Sequence, residues 1–269
     1  MTSLTEQQIQ TAAEDLFQAE VNRRQISPIT QSFPDMDMDD AYAIQSAWVG
    51  KKIASGDEVI GYKIGLTSRV MQRAMKIDTP DFGVLLKSMW FDNNCRIPAA
   101  DFTDPRIEVE LAFVLKKGLF GENLTIEDVL DATDYVVPAL ELIAARSHRV
   151  DPSTAYVRTV MDTISDNAAN AGIIVGDNRF GVDEIDLRWS GAILYKNDVI
   201  EETGLAAAVL DHPANGIIWV AKRFAPHGIA LEPGQIILSG SFTAPVIATA
   251  GDRFVADYGS LGTIICEFT

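Results

Sequence analysis

The stretch RIEVELAFVLKK, residues 106–117, decides the fold. Ile107, Val109, Leu111, Phe113 and Leu115 alternate with Glu108, Glu110, Ala112 and Val114. A period of two sustained over that length is a β-strand with one wholly apolar face. The other face carries two carboxylates. Glu108 and Glu110 are two residues apart, so both project from it, ~6–7 Å apart along the strand. Two readings fit: the polar side of a half-exposed strand, or a pair of ligands or acid–base groups. A second run, DYVVPALELIAA (134–145), is nearly as apolar, with Glu141 near its end. An ionised group there is costly unless it is paired or metal-bound. Two strand carboxylates and a third from another apolar strand make a hard-cation site. Oxygen-only ligation suits magnesium, or manganese, better than zinc.

Working outward, EVIGYKIGL (58–66) reads as a strand with Ile60, Tyr62, Ile64 and Leu66 on one face and Gly61, Lys63 and Gly65 on the other. A lysine with glycine two residues away on either side is a surface lysine, or one that overlooks an open pocket. AGIIVG, LRWSGAILYK and QIILSG fit strands, and the tail from Pro245 reads as strands separated by AGD and YGS turns. Helices are predicted over residues 4–22, with Ser3 and Glu6 at capping-box spacing, and from Asp37 or Asp39 through Ile53. Ile9, Leu16 and Phe17 mark the buried stripe of the first, Ile44, Ala47 and Trp48 that of the second. Further helices are expected just after Thr67, from Thr125 to about Ala132, and within LAAAVLDHPANGIIWVAKRFAPHG, where Pro213 stands at a helix start and Gly228 past an end. This predicts an N-terminal helical part, 1–57, acting as a lid or a subdomain, and a β-rich body, 58–269. The fold class is α+β, not an alternating βαβ chain. No GxGxxG, P-loop or GxSxG is present.

The chain has 269 residues, 47% hydrophobic and 22% charged, which is ordinary globular composition. With 22 Lys and Arg against 38 Asp and Glu, the net charge is −16, which argues against nucleic acid as a partner. A few local cations or a metal still suffice to receive an anionic substrate. No apolar run approaches the ~18–20 residues of a membrane span, and the N-terminus lacks a signal-peptide pattern. Cys95 and Cys266 fit neither CxxC nor zinc spacing, so they read as packing residues of a soluble, cytoplasmic protein.

Four other places carry candidate chemistry. Asp81 in TPDFG (79–83) is a turn-holding carboxylate or one placed on a loop beside the site. In TISDNAANAG (163–172) Ser165, and in SGSFTAP (239–245) Thr243, are helix-cap and turn residues or hydrogen-bond donors for a substrate carboxylate. Arg146, His148, Arg149 and Arg158 form a basic cluster in an acidic chain, either a solvated loop or an arch over a pocket mouth. The histidines, at 148, 212 and 227, are dispersed, and no Ser/His/Asp arrangement is visible.

KIGLTS, TPDFG, RIEVELAFVL, ATDYVVPALELI, TISDNAANAG, HPANGIIWVA and GQIILSGSFTAPV occur in this order. Together they resemble the hydratase and decarboxylase family of aromatic meta-cleavage pathways, within the fumarylacetoacetate-hydrolase superfamily. The resemblance runs from about residue 5 to the C-terminus. It implies a mixed β-sandwich roll with an N-terminal helical part. Its three acidic metal ligands fall on Glu108, Glu110 and Glu141, and its lysine on Lys63. The family's decarboxylases are expected to carry an apolar residue where this chain has Asp81, which favours hydration, with Asp81 as the water-directing base. RIEVE, SFTAP and the segment 145–170 favour the branch acting on a seven-carbon unsaturated 2-oxo dioate. The implied enzyme is a Mg2+- or Mn2+-dependent hydratase and homo-oligomer, in association with a pathway decarboxylase. One of Arg146, Arg149 and Arg158 would then clamp the distal carboxylate, with Ser165 and Thr243 as donors to substrate. Competing readings are a hydratase of a five-carbon dienoate, a decarboxylase of an oxalocrotonate-type substrate, a C–C hydrolase, and a non-enzymatic subunit that stabilises a pathway enzyme. The chain shows no His/Glu dyad for a C–C hydrolase, and an intact acidic set argues against a degenerate subunit.

Overall fold

The computed structural model describes residues 2–69, 72, 73 and 77–269. Two sheets face each other. The larger has eight strands: β1 (Val59–Gly65), β2 (Asp81–Leu86), β3 (Trp90–Asp92), β5 (Pro105–Leu115), β6 (Thr133–Ala144), β7 (Asn170–Val175), β10 (Ile236–Leu238) and β11 (Val246–Ile247). Their order is β2-β1-β10-β5-β6-β7-β3, with β11 also on β5. The smaller sheet runs β4-β13-β12-β8-β9, from β4 (Cys95–Ile97), β8 (Gly191–Lys196), β9 (Val199–Leu205), β12 (Arg253–Asp257) and β13 (Thr263–Phe268). This is the mixed, β-rich α+β architecture that the alternation in β5 predicts.

The two faces of β5 separate packing from chemistry. Ile107, Val109, Leu111 and Phe113 are fully buried and pack in one core with Phe254, Ile264 and Phe268 of the second sheet. Ala112, on the opposite face, joins Leu85, Ala139, Ile173 and Leu238 in a smaller apolar cluster. That face also carries Glu108 and Glu110.

Helices α1 (Glu6–Val21) and α2 (Met38–Ala54) precede the sheets. Leu16, Ile44 and Trp48 pack them on Val84 and Leu86 of β2 and on Val160 and Ile164 of α4 (Val160–Ser165). Among the described residues none from either helix lines the cavity that contains Lys63, Asp81 and Glu108, and the two helices pack on β2 and α4. The cap of α1 is Thr5, in a reciprocal box with Gln8, rather than Ser3. Ser3 instead donates its hydroxyl to Asp40 Oδ2 (2.6 Å). Asp37 caps α2, and Thr125 caps α3 (Ile126–Ala132). Helix α5 (Ala214–Phe224) starts after Pro213, and a single further turn ends at left-handed Gly228.

Four expectations are corrected. TPDFG is not a turn throughout: Asp81 opens β2, because residues 81–86 find a full antiparallel partner in β1. Leu187–Ser190 are not strand, since the Asp186 carboxylate accepts the amides of Arg188 and Trp189 and makes a turn there. LAAAVL is not helix but the end of β9 and a 3₁₀ turn, Ala206–Ala208. β9 itself, VIEETGL, was not anticipated, because a polar, largely exposed edge strand shows no apolar alternation. The helix expected after Thr67 falls partly outside the described residues. No helix among the described residues is long and apolar enough to cross a membrane.

Candidate metal centre and substrate cavity

The register of β5 on β6 places Glu108 directly opposite Glu141. Opposite residues share a face, and Glu110 lies two residues along it. Carboxylate oxygens of the three lie within 4.8 Å of one another. Glu110 and Glu141 are fully buried, and Glu108 is half-buried at the cavity wall. Tyr258 ties the two strands together beside them, its hydroxyl 2.7 Å from Ala139 O and 3.0 Å from Glu110 O.

Like charges facing each other across a ladder are unfavourable, and burial adds to the cost. Burial and the facing Glu141 push Glu108 up to about 8. Burial, Glu141 and Glu108 raise Glu110 well above its ordinary value. Gly240 donates its amide to Glu110 Oε2 (2.8 Å), while Oε1 is buried without a partner. The Asn170 amide donates to Glu141 Oε1 (2.8 Å), and Asn170 Oδ1 is a second buried acceptor without a partner. Three converging hard oxygen donors and an orphaned carboxylate oxygen fit a divalent cation.

Lys63 and Asp81 stand on the same sheet face. The Lys63 ammonium is 3.4 Å from Glu141 Oε1. Burial works against its charge, but Glu141, Asp81, Glu108 and Glu110 together hold it above its ordinary value. Asp81 is raised by burial, against the pull of Lys63, and its Oδ1 has no partner. Gly65 is what allows both to approach. A Cβ there would sit 2.2 Å from Asp81 Oδ1 and 3.0 Å from Lys63 Nζ. Gly65 therefore belongs to the pocket, whereas Gly61 makes room for the β10 backbone: a Cβ there would lie 1.8 Å from the Ile236 carbonyl oxygen.

Lys63, Asp81, Glu108 and Glu110 line a cavity of about 520 Å³, with Glu141 buried directly opposite Glu108. Arg149 and Arg158 line it as well. Arg149 donates from Nε to Asp104 Oδ2, and its Nη2 is buried and unpartnered. Arg158 is 8% exposed, its Nη1 is also unpartnered, and burial and the Arg149 charge push it down to about 10. Buried guanidinium nitrogens without acceptors are well suited to an anion. Thr243 lines the cavity and accepts the Val109 amide on Oγ1 (3.1 Å), which still leaves a hydroxyl proton to give. Ser165 is buried with an unpartnered Oγ but is not on the cavity wall.

Arg146 is corrected. It does not face this cavity, because its fork is taken up elsewhere: Nε on Glu20 (2.6 Å), Nη1 on Asp166 (3.0 Å) and Nη2 on Asn170 O (3.1 Å). Sequence reasoning missed Asp104 and Asn170, and also Glu202 and Thr203, which reach the cavity from the unanticipated β9. The FTDPRIEVE entry into β5 (102–110) offers no signal for Asp104 beyond a turn-forming aspartate, which here takes a left-handed φ of 49°.

The model of the fumarylacetoacetate hydrolase C-terminal family matches residues 65–269. The chain belongs to this family. It is 56% identical over 256 residues to 2-oxo-hept-4-ene-1,7-dioate hydratase of Escherichia coli, covering 95% of this chain and 96% of that one. It is 38% identical to 2-keto-4-pentenoate hydratase of Paraburkholderia xenovorans, over 98% of this chain and 96% of that one. Among solved structures it resembles 4-oxalocrotonate decarboxylase from Pseudomonas putida G7, complexed with magnesium and adipate. There the TM-score is 0.94 at 31% identity, with both chains covered completely. The family match starts within β1, so α1 and α2 lie outside it.

Proposed function

We propose that this chain is a divalent-metal-dependent hydratase acting on 2-oxo-hept-4-ene-1,7-dioate. The product is 4-hydroxy-2-oxoheptanedioate. The observation that carries the reading is the composition of one cavity: the three clustered carboxylates with Lys63 and Asp81, and two arginines with unpartnered buried nitrogens in the same walls. A dianion with a 2-oxo acid at one end and a plain carboxylate at the other matches both. The 56% identical hydratase, and the dicarboxylate bound by the similar decarboxylase, support the same substrate class.

Glu108, Glu110 and Glu141 would hold Mg2+ or Mn2+, which supplies Lewis-acid polarisation of the 2-oxo acid when bound. Lys63, kept charged by its carboxylate neighbours, faces the oxygen that gains negative charge as a proton leaves C3 and one returns at C5. That shift converts the 4-ene into the conjugated 3-ene. Asp81, with its unpartnered Oδ1, takes a proton from the water that adds at C4, and C3 is protonated to complete the addition. Arg149 and Arg158 hold the distal carboxylate, and Thr243 donates to substrate from the cavity wall. Ser165, buried off the cavity wall, would donate to substrate only with α4 displaced. The reading extends to a cytoplasmic homo-oligomer working beside a pathway decarboxylase.

The test is product analysis. Purified protein with Mg2+ is given the seven-carbon dioate and, separately, the five-carbon 2-hydroxydienoate. We expect 4-hydroxy-2-oxoheptanedioate from the first at the higher kcat/KM. Release of carbon dioxide from an oxalocrotonate-type substrate at a higher rate overturns the reading in favour of a decarboxylase.

A further inference from the structure

We infer that Asn170 is a positioning residue for the metal ligand Glu141, and that Arg146 links it to the N-terminal helices; this rests on the metal reading of Glu108, Glu110 and Glu141. The local fold delivers Asn170 by an irregularity. β7 pairs with β6 as Glu141↔Ile173 and Leu142↔Gly172, then skips Ala171 to give Ile143↔Asn170. A regular ladder would set Ala171 opposite Ile143 and turn Asn170 to the other face. The one-residue shift puts Asn170 on the face of Glu141 instead. The preceding residues, Asn167, Ala168 and Ala169, all take left-handed φ values of 51°, 51° and 58°. Such backbone persists where surrounding contacts dictate it. Here the Asn167 side chain pairs with both backbone polar groups of Val84 (2.8 and 2.9 Å).

Once placed, Asn170 is wholly buried and its Nδ2 donates to Glu141 Oε1. The Lys63 ammonium approaches that same oxygen. Oε1 is thus held between two donors, which restricts the swing of the carboxylate. The Asn170 backbone is fixed in turn by Arg146 Nη2 on its carbonyl. The planar guanidinium leaves little freedom, since its other nitrogens are committed to Glu20 and Asp166 and its face lies 4.6 Å from the Trp48 ring. Glu20 is on α1 and Trp48 on α2. The helices outside the family match therefore reach a metal ligand through Arg146 and Asn170. Partners that orient a metal ligand set its affinity for the ion as well as its place.

Binding of Mn2+ alone, followed by its electron paramagnetic resonance signal, reads the centre without substrate. Glu141→Gln serves as the control: if wild type fails to bind Mn2+, or Glu141→Gln binds it equally well, the metal reading itself is wrong. Given a binding wild type, Asn170→Ala is expected to weaken Mn2+ by about 10–100-fold. Its metal-free melting temperature should stay close to wild type, and excess Mg2+ should recover most of kcat. Should Asn170→Ala fail to fold, Asn170→Leu keeps the side-chain volume, withdraws the donor and carries the same expectation. Wild-type Mn2+ affinity in the folded variant overturns the role of Asn170. Glu20→Ala, which frees one arm of Arg146, should show a smaller loss of affinity, and no loss removes the helices from the argument.

Discussion

The carboxylate cluster and the arginines beside it are built into the fold by different means. Glu108, Glu110, Glu141, Lys63 and Asp81 sit on four strands whose registers bring them to one face. Arg149 and Arg158 sit in a short hairpin-like loop: the Arg158 amide donates to the Arg149 carbonyl (3.0 Å), Val150 bridges Val157, and Asp104 takes the Arg149 guanidinium. Placement on a long ladder is rigid, as chemistry at a fixed centre requires. A loop held by a few local contacts can vary in sequence and reach without disturbing the sheet, as selection among substrates requires. The division predicts that the strand residues govern turnover on any substrate and the loop residues govern which substrate is turned over.

The largest effect tests the first half. Glu110→Gln or Glu141→Gln should reduce Mn2+ binding and hydration to background while the fold remains, because each removes a charge from the cluster and relieves its repulsion. Chelation should do the same reversibly in wild type. Full turnover after chelation breaks the comparison at its root. Next comes Asp81→Asn, which should lower kcat by about 10²–10⁴-fold, as for loss of a general base. Its Mn2+ affinity should stay near wild type, because Asp81 is not one of the clustered ligands. Normal hydration by that variant would leave Asp81 a strand-end residue only.

The contrast in construction also explains what the sequence revealed. Alternation in β5 exposes Glu108 and Glu110 directly, and the cost of a charge inside VVPALELIA exposes Glu141. The glycines around Lys63 hint at the space that Gly65 provides for Asp81. Each of these signals is local. Arg146 and Asn170 depend on partners or on a register that no local pattern carries. Glu20, 126 residues away, takes the Arg146 fork that proximity to the basic cluster assigns to substrate. Skipping Ala171 is a property of two paired strands, so nothing in NAAN distinguishes its two asparagines. β9 is hidden for a third reason: an edge strand has little apolar surface to bury, and VIEETGL shows none of the alternation of β5.

Selectivity is tested by comparing two arginines. Arg158→Gln leaves a distal carboxylate without its buried partner, a loss of about 2–4 kcal/mol of transition-state binding, or roughly 30–1000-fold in kcat/KM. The loss should appear on the seven-carbon dioate and be slight on the five-carbon monocarboxylate. Arg146→Gln should instead lower both activities in parallel and reduce stability, because it holds α1 and β7 and does not line the cavity. Equal losses on both substrates in Arg158→Gln would make the whole segment structural and place chain-length selection elsewhere.

The smallest effect isolates the structural arginine through its partner. Glu20 is opposed by burial, but Arg146 and Lys52 outweigh it and lower its carboxyl from 4.5 to about 2 in the folded state. The unfolded chain therefore binds a proton more readily than the folded one between these values. The pair's contribution is complete above about pH 4.5 and is lost as the pH falls towards 2. With the Glu20 side chain 30% exposed, solvent screening reduces the contribution to about 1–2 kcal/mol. Glu20→Gln keeps an acceptor for Arg146 but cannot titrate. Its urea midpoint should lie below wild type at pH 7 and converge on wild type by about pH 2. The same comparison with Asp131→Asn, whose carboxylate pairs with Lys117 in the open, should show little difference at either pH. Parallel curves for Glu20→Gln and wild type across this range would mean that Arg146 is held by Asp166 and the Trp48 ring, with α1 contributing contact but no charge.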